Sequence, residues 1–223
     1  MDMNFNKMID HTLLKPEAKT TDIDKLIQEA IEYQFATVCV NSSWVSYVYS
    51  KLKNTNVGIT SVIGFPLGAM DTNSKVFEAK SAIEAGANEI DMVINIGRFK
   101  DHDYDYVLKE IQAIKKAIGT HILKVIIETA LLSKEEILKI SEIVVNSGAD
   151  FIKTSTGFST RGATIEDIIL MKSVVGDTIE IKAAGGIRKI EDLESMHKEG
   201  ATRFGTSSAV QILSNEKISK NNY

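Results

Sequence analysis

FIKTSTGF, residues 151–158, is an apolar and β-branched run closed by glycine, with a lysine set inside it. A short continuous run of this kind reads as a strand covered on both faces. Lysine is almost never fully buried unless it is paired or chemically employed, because taking the ammonium out of water is costly or forces it to neutralise. Neutral lysine is a nucleophile. Two further runs share this build: residues 180–187 (EIKAAGGI) carry Lys182, and residues 89–96 (EIDMVINI) carry Asp91.

Outward from these three, strand-like runs alternate with amphipathic segments along almost the whole chain. The expected strands cover residues 8–14, 36–41, 57–65, 89–96, 123–129, 151–158, 180–187 and 203–206. Each is followed by a helical pattern. The first helix begins near Thr21, with Thr21 or Asp22 as its cap, and Ser42 or Ser43 caps the second. A third ends at Gly86, a fourth covers residues 104–118, and Ser133 with Glu136 reads as a capping box for the fifth. Helices over 164–175, 190–198 and 207–213 complete the set. Eight such units predict a single-domain (β/α)8 TIM barrel over residues 1–223, with 214–223 as a mobile polar tail. An open doubly wound sheet would show a glycine-rich dinucleotide fingerprint after its first strand, and no GxGxxG occurs.

Composition narrows the function. With 26 Lys plus Arg against 30 Asp plus Glu and no basic block, the chain has no electrostatic footprint for nucleic acid or an anionic membrane. No apolar run approaches the roughly 18 residues that span a bilayer, the N-terminus lacks the apolar core of a signal peptide, and one cysteine, Cys39, permits no internal disulfide. A cytoplasmic location is expected. The four histidines show no metal-ligand spacing, so neither a metal nor a cofactor is expected.

Strand parity brings the ionisable residues together. In EIDMVINI the face of Ile90, Met92, Ile94 and Ile96 belongs against helices, which turns Asp91, Val93 and Asn95 inward. The same parity sends Lys153, Ser155, Lys182 and Ala184 into the barrel, together with Thr37, Cys39, Asn41, Lys124, Ile126 and Glu128. Any one lysine alone reads as half of a structural ion pair. Two lysines and an aspartate converging from three strands point instead to chemistry: an ammonium beside a second ammonium in a dry site loses its proton more easily, which makes a Schiff-base nucleophile. Asp91 would keep the partner lysine charged and relay protons. Gly185 and Gly186 after the seventh strand, with Gly205, Ser207 and Ser208 after the eighth at the start of a short helix, occupy the positions of the phosphate site common in such barrels.

Taken together, EIDMVINIG, LKVIIET, FIKTSTGF and IKAAGGIR, within a likeness running from IDHTLLKP to GTSS, resemble the deoxyribose-phosphate aldolase family, class I aldolases on a (β/α)8 barrel. The resemblance implies reversible cleavage of 2-deoxy-D-ribose 5-phosphate to D-glyceraldehyde 3-phosphate and acetaldehyde. It puts the Schiff base on Lys153 and the proton-transfer pair on Lys182 and Asp91. The phosphate is expected near Gly157, Gly185, Gly186, Gly205, Ser207 and Ser208, with Asp10 and Thr12 lining the mouth. Small-molecule sugar phosphate and aldehyde are the implied partners, and a monomer or homodimer the implied assembly. Some relatives carry a basic residue directly after TSTG; Phe158 stands there in this chain, which predicts one phosphate contact fewer. Some also have a mobile tail ending in tyrosine, as at Tyr223, which suggests a lid. Two other readings fit the same residues: a sugar-phosphate isomerase using Glu128 as base, and a sensor that binds without turnover.

Overall fold

All eight apolar runs contain a parallel strand, and the strands close into one barrel in sequence order. The computed structural model describes residues 4–214. The strands are β1 (Ile9–Leu13), β2 (Thr37–Asn41), β3 (Gly58–Ile63), β4 (Glu89–Val93), β5 (Ile122–Ile126), β6 (Phe151–Lys153), β7 (Glu180–Ala184) and β8 (Arg203–Thr206). Each pairs with the next, and β8 returns to β1. The helices outside are α1 (Thr20–Tyr33), α2 (Val45–Leu52), α3 (Thr72–Glu84), α4 (Ile96–Lys100), α5 (Tyr104–Ile118), α6 (Lys134–Ser147), α7 (Ile165–Val175), α8 (Ile190–Lys198) and α9 (Ala209–Leu213).

The main core lies between the outward strand faces and the helices, where Ile90, Met92, Ile152 and Ile181 pack with helix residues such as Ile111, Ile140 and Ile168. The inward faces differ. Read through the strand register, they stack in layers of four side chains drawn from alternate strands, as barrel closure requires. From the amino-terminal end these are Thr37, Glu89, Phe151 and Arg203; then Asp10, Thr60, Lys124 and Lys182; then Cys39, Asp91, Lys153 and Gly205; then Thr12, Val62, Ile126 and Ala184. Two of these layers are mostly ionisable.

Several expected strands run past the real ones, each for a local reason. β6 stops at Lys153 because Thr156 turns its N–H and hydroxyl to Glu128, and its hydroxyl oxygen then accepts the Phe158 N–H (3.0 Å). β4 stops at Val93, and Asn95, expected inside the barrel, instead accepts the Arg98 N–H to cap α4. β7 stops before Gly185 and Gly186, both at φ +76°. Among the helices, the Ser133 capping box forms as expected, with Ser133 N–H on Glu136 and Glu136 N–H on Ser133 Oγ. The first helix starts differently: Lys19 is the cap residue, and Asp22 receives its N–H (2.8 Å). Neither Ser42 nor Ser43 caps α2, since a 3-10 turn (Ser42–Trp44) precedes it and the Ser42 hydroxyl donates to Glu78. The last helix begins at Ala209 rather than Ser207. Tyr223 and the expected mobile tail beyond Ser214 lie outside the described residues.

Candidate active site

β4, β5, β6 and β7 bring three lysines onto one carboxylate. Lys153 Nζ and Lys182 Nζ both donate to Asp91 Oδ2, each at 2.7 Å, and Lys124 Nζ donates to Oδ1 at 2.8 Å. One layer below, Lys182 also reaches Asp10 Oδ2 (2.5 Å) and Lys124 reaches Glu89 Oε2 (2.5 Å). Arg203 ties the base of the cluster together through Asp10 Oδ1 (2.7 Å) and Glu89 Oε1 (3.3 Å). Asp10, Asp91, Lys124 and Lys182 are wholly buried, and Lys153 retains 3% exposure. Lys153 is thus the lysine nearest the open end of the barrel, on the uppermost ionisable layer.

The charges do not balance when all are ionised. Four basic groups, Lys124, Lys153, Lys182 and Arg203, face three carboxylates, Asp10, Glu89 and Asp91. Burial penalises every charge here, and neighbours decide which survive. Burial and then the Lys182 charge push the Lys153 ammonium below the ordinary lysine value, against the pull of Asp91. For Lys182 the burial penalty is outweighed by Asp10 and Asp91, and its pKa is raised. Lys124 is likewise raised, its burial offset by Asp91 and Asp10. Asp91, whose burial alone would raise it, is held well below the carboxylate range by Lys124, Lys153 and Lys182. Of the three lysines, Lys153 is the one whose charged form is disfavoured, while Lys124 and Lys182 are favoured as cations.

The expected substrate residues divide. Gly157 (φ +87°), Gly185 and Gly186 lie in adjoining loops after β6 and β7. Those loops meet backbone to backbone: a Cβ on Gly162 would stand 2.2 Å from the Gly185 carbonyl, so only glycine permits the approach. Thr12 and Ser207 share a cavity of about 210 Å³ between β1, α1 and α9, also lined by Lys15 and Lys25. Ser208 is buried and its N–H is committed to Thr206 Oγ1 (3.1 Å). Asp10 does not line the mouth: it sits two layers down, bonded to Lys182, Arg203 and Thr37. Gly205 is likewise inside β8 rather than in a loop, and a Cβ there would come within 3.2 Å of Lys182 Cε, so its bareness makes room for that lysine.

Lys124, Arg203 and Glu89 complete the cluster without having been singled out as site residues. Parity already turned Lys124 inward, and the same parity carried to the first residues of β4 and β8 would have found the other two. Opposite the glycine loops, the mouth is apolar: Leu14, Cys39 and Val62 pack with Phe65, whose ring meets Phe158 edge-on at 5.3 Å. Burial raises the Cys39 thiol to about 11, so it is no thiolate nucleophile near neutrality.

A closed parallel barrel with an ionisable interior opening at the carboxyl ends of its strands defines a (β/α)8 enzyme, built around buried lysines. Within that class the chain belongs to the DeoC/LacD family of aldolases, whose sequence model matches residues 5–212. It is 60% identical over 219 residues to the deoxyribose-phosphate aldolase of Mycoplasmopsis synoviae, covering 97% of this chain and 98% of that one. It is 61% identical over 211 residues to that of Mycoplasma mobile, covering 95% and 97%. Among solved structures it matches the tetrameric deoxyribose phosphate aldolase of Aeropyrum pernix with a TM-score of 0.88 at 32% identity, over 95% of this chain and 90% of that one. No helix among the described residues is long and apolar enough to cross a membrane.

Proposed function

We propose that this chain reversibly cleaves 2-deoxy-D-ribose 5-phosphate to D-glyceraldehyde 3-phosphate and acetaldehyde through a Schiff base on Lys153. The observation that carries the proposal is the pair of lysines on a single oxygen of Asp91, one with its pKa lowered and the other raised. The names of the relatives at 60% and 61% identity support the choice of substrate.

In the cleavage direction the neutral Lys153 amine adds to the C1 aldehyde, and the carbinolamine loses water with a proton supplied by the Lys182–Asp91 pair. The resulting iminium is the electron sink. Removal of the C3 hydroxyl proton lets the C2–C3 bond break, its electron pair forming the enamine while C3 becomes the aldehyde of glyceraldehyde 3-phosphate. Protonation of the enamine at C2 and hydrolysis of the ethyl iminium then release acetaldehyde and free Lys153. The phosphate is held by backbone N–H groups around Gly157, Gly185, Gly186 and Ser207. Phe158 adds no charge to that side: its ring packs on Phe65 and its N–H goes to Thr156.

Incubation with acetaldehyde and borohydride is expected to leave a stable ethyl adduct on Lys153, mapped by peptide mass analysis. An isomerase working through Glu128 or a non-catalytic sensor leaves none, and an unmodified Lys153 would discard the proposal.

A further inference from the structure

Glu128 takes no part in that chemistry, yet its setting is unusual. It stands directly beyond β5 with φ +53°, a left-handed conformation uncommon and strained for a residue other than glycine. Its carboxyl is buried, at 3% exposure. Oε2 receives both the N–H (3.2 Å) and the hydroxyl of Thr156. Thr156 Oγ1 in turn accepts the Phe158 N–H at 3.0 Å, which closes the turn containing Gly157. Oε1 has no hydrogen-bond partner among the described residues. Lys153 spends its own directed bond on Asp91 Oδ2.

The rest of the loop is sewn down on both flanks. Thr129 N–H donates to Thr154 O (2.9 Å), Arg161 binds Thr129 O and Asp167, and Ala163 N–H reaches Ala184 O (3.0 Å). Between those fastenings, the stretch from Ser155 to Phe158 is gripped from the β5 side by Glu128. Such an end-on double grip fixes the direction of the backbone N–H groups that follow in the Gly157–Phe158 turn.

We propose that Glu128 is a positioning residue: by holding Thr156 it sets the Gly157–Phe158 turn, and so governs recognition of the substrate's phosphate end rather than iminium formation at Lys153. This rests on the aldolase reading above. Thr156 needs only an acceptor oxygen from this side chain, which glutamine can also supply.

The test compares Glu128→Gln and Glu128→Leu with the parent enzyme on 2-deoxyribose 5-phosphate, on unphosphorylated 2-deoxyribose, and in the rate of borohydride trapping with acetaldehyde. Glu128→Leu is expected to lose about tenfold in kcat/KM on the phosphorylated sugar, and less than about twofold on the other two, as for loss of one or two buried hydrogen bonds. Glu128→Gln is expected to stay within about twofold throughout. Equal losses on both sugars, no loss on either, or a glutamine variant as impaired as leucine would each overturn the proposal. Should Glu128→Leu fail to fold, Thr156→Val removes the hydroxyl link at constant shape and must show the same selective loss. A parent enzyme that forms no adduct and cleaves neither sugar sinks the aldolase reading itself, an outcome separate from any of these.

Discussion

Lys75 and Lys153 are both buried, both lie against a carboxylate, and both have their pKa lowered first by burial. Lys75, on α3, sits outside the barrel, where its Nζ donates to Val93 O (2.8 Å) and stands 2.9 Å from Glu110 Oε1. That second contact is an ion pair without hydrogen-bond alignment, the directed bond having gone to the carbonyl. Glu110 is Lys75's own partner, one charge to one charge, and its other oxygen takes the Asn95 N–H. The pair clasps the end of β4 and is electrically complete. Asp91 is divided among three lysines, and the cluster around it has one basic group more than it has carboxylates. Burial alone therefore does not mark a reactive lysine; burial with a shared counter-ion does.

The largest expected effect comes from deleting the shared-carboxylate nucleophile. Lys153→Leu should abolish the acetaldehyde adduct and lower turnover by on the order of 10⁴ to 10⁶, as removal of a nucleophile does elsewhere. It should also leave the fold intact, because it removes the surplus cation and leaves three bases against three acids. A variant that still traps acetaldehyde would break the contrast at its root.

Next in size is Lys182→Met. Its charge depresses Lys153, and its loss also leaves more of Asp91 to Lys153. Both changes raise the Lys153 pKa, so the neutral fraction at a given pH falls and the acid limb of the rate profile moves to higher pH. Turnover should drop by about 10² to 10⁴, the usual range for losing a proton-transfer group. Rates of adduct formation across pH test the sign. An unmoved acid limb would show that the neighbouring ammonium does not tune the nucleophile.

How much of this contrast was legible in the sequence depends on periodicity. A strand alternates with period two, so an apolar outward face in EIDMVINI fixes Asp91 inside, and the same rule found Lys153, Lys182 and Lys124. Carried to IDHTL, it puts Asp10 and Thr12 inside, two layers apart, with Asp10 the deeper of the two and below the mouth. Strand ends were less legible, because Thr154, Ser155 and Thr156 continue a β-branched pattern while the Thr156 side chain diverts the backbone towards Glu128. Lys75 was not legible at all. It follows Ser74 in a helix whose buried positions include only two small alanines, Ala79 and Ala82, and nothing local announces that Glu110, thirty-five residues on, will meet it.

The smallest expected effects test the other half of the contrast. Lys75→Met strands Glu110 without its cation and should cost about 3–5 kcal/mol of stability, as breaking a buried pair does. Burial already raises the Glu110 pKa, so the stranded carboxyl would be accommodated by taking up a proton, and the loss should be smaller towards acid pH. Adding Glu110→Leu removes the second charge together with its desolvation penalty, and the double variant should return to within about 1–2 kcal/mol of the parent. It cannot return fully, because Val93 O and Asn95 N–H lose their partners. In both variants the Lys153 adduct should form with an unchanged pH profile at permissive temperature, since neither residue shares a counter-ion with the barrel cluster. Denaturant unfolding of the two variants beside their trapping profiles makes the decision. A shifted profile with intact stability would mean that Lys75 is coupled to the nucleophile, and the division between a closed ion pair and a shared one would fail.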